Sequence, residues 1–551
     1  MNRREAISFL SPESTKQDFS NTARTTSGLA TYSGPWTKNE VKHLLRRAMF
    51  GAPKTDVDYF VGLGFSASIS ELLTLPTAAP SPPVWSYSAN YQDPNVAQGV
   101  TWVNAAQDNQ ATGYRKRSLL AWWTGLMLNQ NRNIQEKMTL FWMNHFATEV
   151  DSVNYPSYSY RTLVLCRQMA IGNLKAFTKK ITLDPGMLRY LNGALNSVSA
   201  PDENYGRELQ ELFTVGKDVN GNPYYNQSDV IAAARVLTGF RVSNTNLSSY
   251  FDPTRHDVNN KTFSAYYNNT VITGRSGVNG ANELDDMLDM IFAKNEVALN
   301  ICRKLYRFFI YYEIDAATET NVIQPLAQIF RSNLYEIGPV LTALFSSEHF
   351  YDQLNRGCII KAPLDLSIGF CRDFKVVFPI ATTNLEALYS LWYKIEQQGE
   401  ILTQAICNPP NVAGWPAYYQ APQYHELWIN SVTLPYRNQF TDNMLGNGFV
   451  SNSVRVKSNV VSYTASLSNP SDPVLLIQEV IDLHYSIDVS QSVKDYLLGI
   501  LLSGQSTNSY WTDAWNNYIA APTNTAYLTI VQTRLSYMYK YLMNLSEYQL
   551  S

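Results

Sequence analysis

Apolar residues recur every three to four positions along most of the chain, the spacing of amphipathic helices. Thr37 precedes one such run, Lys38 to Phe50, and Gly51 closes it, which predicts a capped helix. The same spacing predicts two long helices over 113–130 and 133–148. Leu119, Trp122, Trp123 and Leu126 make the stripe of one, and Met138, Phe141, Trp142 and Phe146 that of the other. Helical patterning continues through 157–180, 203–215 and 228–240. It resumes at 282–312, 321–333, 337–346 and 384–406, and again at 473–484, 491–503 and 523–546. Residues 1–35, rich in Ser, Thr and Gly and without periodicity, read as a flexible tail. Residues 77–100 form a loop, 241–280 a polar insertion dense in Asn, Ser, Gly and Tyr with room for a short hairpin, and 408–424 a Pro, Gly and aromatic loop. A β-like polar stretch lies near 449–468. No fixed-period repeat is visible. The expectation is a mainly α protein with long irregular loops and at most small β-hairpins; irregular segments of that length are often functional.

Composition narrows this picture. The 551 residues allow several domains or one large one. Lys plus Arg (43) nearly balances Asp plus Glu (46), which argues against a basic nucleic-acid stripe and against an acidic tail. Only 16% of residues are charged, so Asn, Gln, Ser, Thr and 36 Tyr must carry much of the surface. The five cysteines form no CxxC pair, and neither a disulfide framework nor a zinc ribbon is expected. The longest apolar run, Leu119 to Leu128, is too short to span a bilayer, so no transmembrane segment is expected. Asn2-Arg3-Arg4 resembles the start of a twin-arginine export signal, but Ser8, Ser11, Pro12 and Glu13 interrupt the apolar region that should follow. The expectation is therefore cytoplasmic by default, with periplasmic or secreted as the alternative.

Because charge is scarce, its crowding localises candidate chemistry. His145 falls one turn after Phe141 and Trp142: either a core histidine bonded to a carbonyl, or an acid/base group or metal ligand. In 201–216, helical spacing puts Glu203, Arg207 and Glu211 in one row and Asn204 and Glu208 in the next. This is either a solvated ladder of weak ion pairs or a carboxylate set able to serve as base or metal ligand. In 250–263, Arg255, His256, Asp257 and Lys261 bring an imidazole and both charge signs within a short loop. They make either a surface turn or a site. Trp415, held extended before Pro416, belongs to a packed crossover or to the aromatic wall of a pocket.

Ordered strings carry a resemblance. His43-Leu-Leu-Arg-Arg-Ala-Met-Phe-Gly51, Phe141-Trp-Met-Asn-His-Phe146, Pro185 to Asn192, Asp202 to Gly216, and Asp229 with Ala233 to Gly239 follow one another along the chain. His256-Asp257 with Lys261, Lys361 with Pro363, Asn408 to Pro416 with Trp428-Ile-Asn430, and Ser546 to Leu550 complete the series. Together they resemble the bacterial DUF1800 family, proteins of unknown function, over about residues 36–551. The resemblance implies one domain across that span, holding the 241–280 insertion, the 408–424 loop and a C-terminal helical part over 470–551. It also implies a partner, a neighbouring DUF1501-type protein of the alkaline-phosphatase/sulfatase kind. Met143 stands where the family motif has its first histidine, and a thioether suits few hard ions.

Two functions follow as expectations. The first is a hydrolase- or transferase-type enzyme. His145, Glu208, His256 and Asp257 would be its catalytic groups, and Arg207, Lys261 and Trp415 would bind substrate. A divalent metal on His145, Glu208 and His256 is an option. The second is a non-catalytic binding or assembly protein for a glycan or a partner protein such as the DUF1501-type enzyme, since Tyr-rich loops suit recognition.

Overall fold

The structure is a computed structural model that describes residues 25–87, 91–218 and 220–551. Helices dominate, and the strands among the described residues are three two-stranded antiparallel hairpins. One hydrophobic cluster takes in residues from Val41 to Tyr548, so the first and last helical parts share a core.

Helix Lys38–Ala48 begins where the sequence marks it. Thr37 and Glu40 form a reciprocal capping box, and Val41, Leu44, Leu45 and Ala48 are buried. Its other face, Asn39, Lys42, His43 and Arg46, has the same helical spacing but polar chemistry. Helices Ala111–Leu128 and Ala381–Ile401 lie alongside each other. Gly125 permits this approach: a Cβ there would stand 2.7 Å from the Trp392 ring. Asn384 breaks the second helix's φ/ψ and accepts from the Ala387 amide (3.0 Å), which explains why the periodic pattern starts at 384.

Three expectations change. The described part of the 1–35 segment, residues 25–35, is docked. The Tyr32 amide donates to Ser346 O and the Glu348 amide to Ala30 O, both 2.8 Å, while Tyr32 and Trp36 pack against Phe65 and Tyr351. Backbone pairing and aromatic burial hold a stretch whose composition lacks periodicity. The twin-arginine-like start lies outside the described residues. The 157–180 run is two helices, Pro156–Gln168 and Leu174–Thr182, separated by a turn. The 282–312 run is also two, Glu283–Phe292 and Asn295–Phe309. Helix Ser509–Ala520 is not marked in the sequence reading, yet Trp511 and Trp515 bury one edge of it.

The polar insertion is ordered. Phe240–Ser243 pairs with Ser248–Phe251, and Lys261–Thr262 with Val271–Ile272. The 449–468 stretch divides into a hairpin, Phe449–Ser451 with Val454–Val456, and helix Val460–Ala465. Near the end of the chain, Ile360 bridges Leu550, and the Lys361 amide donates to Gln549 O (2.8 Å).

Candidate functional site

His256, Asp257 and Lys261 are brought together, but inside the protein. They are 4%, 5% and 0% exposed, so a surface turn is excluded. The residue joining them is Glu283, 0% exposed, which the sequence reading does not single out. Its Oε1 accepts from His256 Nε2 (3.0 Å) and from the Arg275 amide (2.7 Å), and its Oε2 takes Lys261 Nζ (2.5 Å). His256 Nδ1 lies 2.9 Å from Thr238 O, so both ring nitrogens face acceptors. Lys261 also donates to Asp257 O. Asp257 receives Arg235 Nε (2.6 Å) and two bonds from Asn259 (2.9 Å each). Burial opposes its ionisation, but these bonds outweigh burial and hold the carboxyl down at about 2. Gly280 lets its turn lie on the imidazole, since a Cβ there would be 2.6 Å from His256 Cδ2. This knot fastens the 241–280 insertion to helices Gln227–Val236 and Glu283–Phe292. No spacing rule links Lys261 to a carboxylate twenty-two positions on, so the sequence carries no signal for it.

His145 has a different setting. Its Nε2 donates to Phe213 O (3.2 Å), and its Nδ1 accepts from Lys304 Nζ (3.2 Å). Lys304 also donates to Leu212 O (2.6 Å), and Asn300 Nδ2 to Thr214 O (2.7 Å). These carbonyls end the π-helical turn Leu209–Phe213, which continues helix Asn204–Glu208. A helix end leaves orphan carbonyls; here His145, Lys304 and Asn300 satisfy them. Burial, then the Lys304 charge, pushes the His145 ring well below its usual range. Burial, then Arg307, brings Lys304 down to about 7. Met143 is 2% exposed in the same core.

Glu208 and Arg207 lie on the half-exposed side of the same helix. Arg207 bonds Glu203 (3.2 Å) and Gln227 (3.1 Å). The Glu208 carboxylate accepts no hydrogen bond among the described residues, and burial and then Glu211 raise it above the usual carboxylate range. At Glu211 burial works the same way, but bonds from Lys217 (2.5 Å) and Tyr225 (2.8 Å) outweigh it and hold that carboxyl low.

Trp415 is 1% exposed and packed. Its amide donates to Asn144 Oδ1 (2.8 Å), and Gly414, at φ +91°, leaves room for that side chain. The aromatic wall exists beside it instead. Tyr418, Tyr424 and Trp428 line a cavity of about 30 Å³ with Arg307 and the Lys137–Asp365 ion pair. That volume holds a water and not a sugar.

Among the described residues, no hydrogen bond or ion pair joins the side chains of these settings to one another, and no group of three or more His, Cys, Asp or Glu side chains is placed to hold a metal ion. His145, Glu208 and His256 are thus not a common ligand set. No helix among the described residues is long and apolar enough to cross a membrane.

A cavity of ligand size lies elsewhere. About 480 Å³ opens between helix Lys38–Ala48, the 353–356 turn and the 481–488 segment. Asn39, Lys42, His43 and Arg46 line it from one helical face, with Arg356 opposite. Lys42 Nζ donates to Asp482 O and to Tyr485 O (3.3 Å). Arg46 donates to Leu483 O (2.5 Å) and Ser486 Oγ (2.9 Å). His43 Nε2 lies 2.9 Å from Phe350 O. The i, i+4 spacing of Lys42 and Arg46 is legible in the sequence; the cavity in front of them is not.

Such an arrangement defines a mainly α-helical protein whose shared motifs are stitched together internally. The chain belongs to the DUF1800 family, described as "Protein of unknown function (DUF1800)", whose model matches residues 43–550. Comparison with curated proteins and with solved structures finds no match to either.

Proposed function

We propose that the protein works by binding rather than by acid–base turnover at the predicted residues. One observation carries this reading. His145, His256, Asp257 and Lys261 each spend their polar atoms on backbone carbonyls or opposite charges inside the protein. A general acid or base must keep an atom within reach of its substrate. The partner would be a glycan or a protein such as the DUF1501-type enzyme that the family resemblance implies.

A second reading, a hydrolase or transferase, rests on Glu208 alone. It is the predicted catalytic group without a hydrogen bond among the described residues, and Glu208 and Glu211 are pushed in opposite directions, as in acid/base pairs. One measurement separates the two. The purified chain is assayed on chromogenic esters, phosphomonoesters and glycosides, beside Glu208→Gln. No turnover above background supports binding. Turnover that Glu208→Gln abolishes at unchanged melting temperature establishes the enzyme.

A further inference from the structure

We infer that the cavity beside helix Lys38–Ala48 binds a small hydrophilic organic dianion, a phosphate monoester or a polycarboxylate, held by Lys42, Arg46 and Arg356. This gives a ligand class to the binding reading above, on which it rests.

Lys42 and Arg46 are 4% and 6% exposed, yet neither has a carboxylate in hydrogen-bond contact among the described residues. Their donors go to carbonyls and a hydroxyl at the C-terminal end of helix Pro473–His484, which carry partial charge only. A buried cation without a counter-ion is costly. Behind the wall, Asp373 acts on Arg46 without a hydrogen bond to it among the described residues, and shares its charge with Lys361 and Arg372. Glu40 is taken by Arg356 (2.8 Å), and Asp488 by Lys494 (2.9 Å). The Asp482 carboxylate accepts from Gln478 (2.9 Å), and only its backbone carbonyl meets Lys42. His43 is neutral: burial, then Arg47 and Arg356, push its ring well below its usual range. The residues that line the cavity thus carry three cations, Lys42, Arg46 and Arg356, against two acids, Asp482 and Asp488.

The volume is within the range of small-molecule sites. It exceeds what bare phosphate needs, and Asn39, Gln353 and Ser486 offer polar contacts for the rest of such a molecule. The site also predicts proton coupling. Burial, then Arg46, lowers Lys42 to about 7, with Arg356 acting the same way and Asp482 and Glu40 opposing. An anion binds the charged amine, so affinity falls as pH rises past that value; Asp488 and Tyr485, the other titratable groups on the wall, sit on the 481–488 segment.

The test is calorimetric titration of the full chain with inorganic phosphate, glycerol phosphate and citrate, at about pH 6 and about pH 8, on either side of the lysine's value. The expected result is one-to-one binding of at least one probe, tighter at the lower pH when affinity is expressed per dianion, since phosphate itself takes up a proton at about pH 6. Glycerol phosphate binding tighter than citrate identifies a phosphate site; the reverse identifies a carboxylate site. Asn39→Asp places a carboxylate on an exposed wall position, where it cannot unfold the core. It should weaken binding by about tenfold at unchanged melting temperature. Lys42→Gln should abolish the pH dependence that remains once the probe's own ionisation is taken into account. Absence of binding by all three probes at the lower pH, or equal affinity in wild type and Asn39→Asp, overturns the inference. Turnover lost in Glu208→Gln would overturn the binding reading instead, and anion binding sensitive to Asn39→Asp would survive it.

Discussion

The polar insertion and the first helix both concentrate charge in a chain that has little of it, and the structure uses them in opposite ways. Around Glu283, cations and acids meet directly and the polar atoms are engaged. Around Lys42 and Arg46, cations meet only carbonyls and a hydroxyl, and about 480 Å³ stands in front of them. Crowded charge therefore marks an internal fastening where the charges neutralise one another, and a binding surface where a net charge remains beside free volume. Buried ion pairs are weak stabilisers but costly to break from one side. Such a knot ties an irregular insertion to one place.

The comparison can be broken most severely at the knot. Glu283→Gln leaves Lys261 buried without its counter-charge and should cost about 3–5 kcal/mol in denaturant unfolding. An effect below about 1 kcal/mol would mean that the insertion is held by its hairpins and apolar contacts.

Acid should come next. Burial is the first cause that keeps His43, His145 and His484 well below the usual imidazole range. Folding therefore favours their neutral forms. Their contribution is complete above the unfolded value near 6.5 and is lost as pH falls below it, at about 1.4 kcal/mol per pH unit per ring. His145→Gln should reduce the slope of stability against pH between about pH 6 and pH 5 by one ring's worth. Asp257 adds a later loss, since its lowered value leaves its stabilisation intact down to the ordinary carboxylate range and removes it as pH falls towards 2.

Lys304→Met is smaller. It removes the donor to Leu212 O and should cost about 1–3 kcal/mol, the usual penalty for a buried acceptor left unpaired. Glu208→Gln should change stability by no more than about 0.5 kcal/mol, because its carboxylate accepts no hydrogen bond among the described residues. A clearly larger loss would place Glu208 among the fastenings and remove it as a catalytic candidate.

Several elements were legible before folding was considered. The Thr37 cap, the existence of helices Ala111–Leu128 and Gln135–His145, and the helical start at Asn384 follow from local rules of capping and period, although both long helices are buried on most sides and not along one stripe. Residues 25–35 were not legible as docked, because what holds them is backbone pairing to 346–348, more than three hundred positions away. Nor was helix Ser509–Ala520, whose buried contacts come from Trp511 and Trp515 one turn apart.

The sequence by itself determined the helical class, the family motifs and the positions where charge crowds, because period, capping and composition act over a few residues. Only the tertiary structure decided what those charges do. The partner of Lys261 on Glu283, of His145 on Phe213 and Lys304, and of Lys42 and Arg46 on the 482–486 segment all come from distant segments. Whether a buried charge is neutralised or left beside a cavity depends on the assembled neighbours and the dielectric they create.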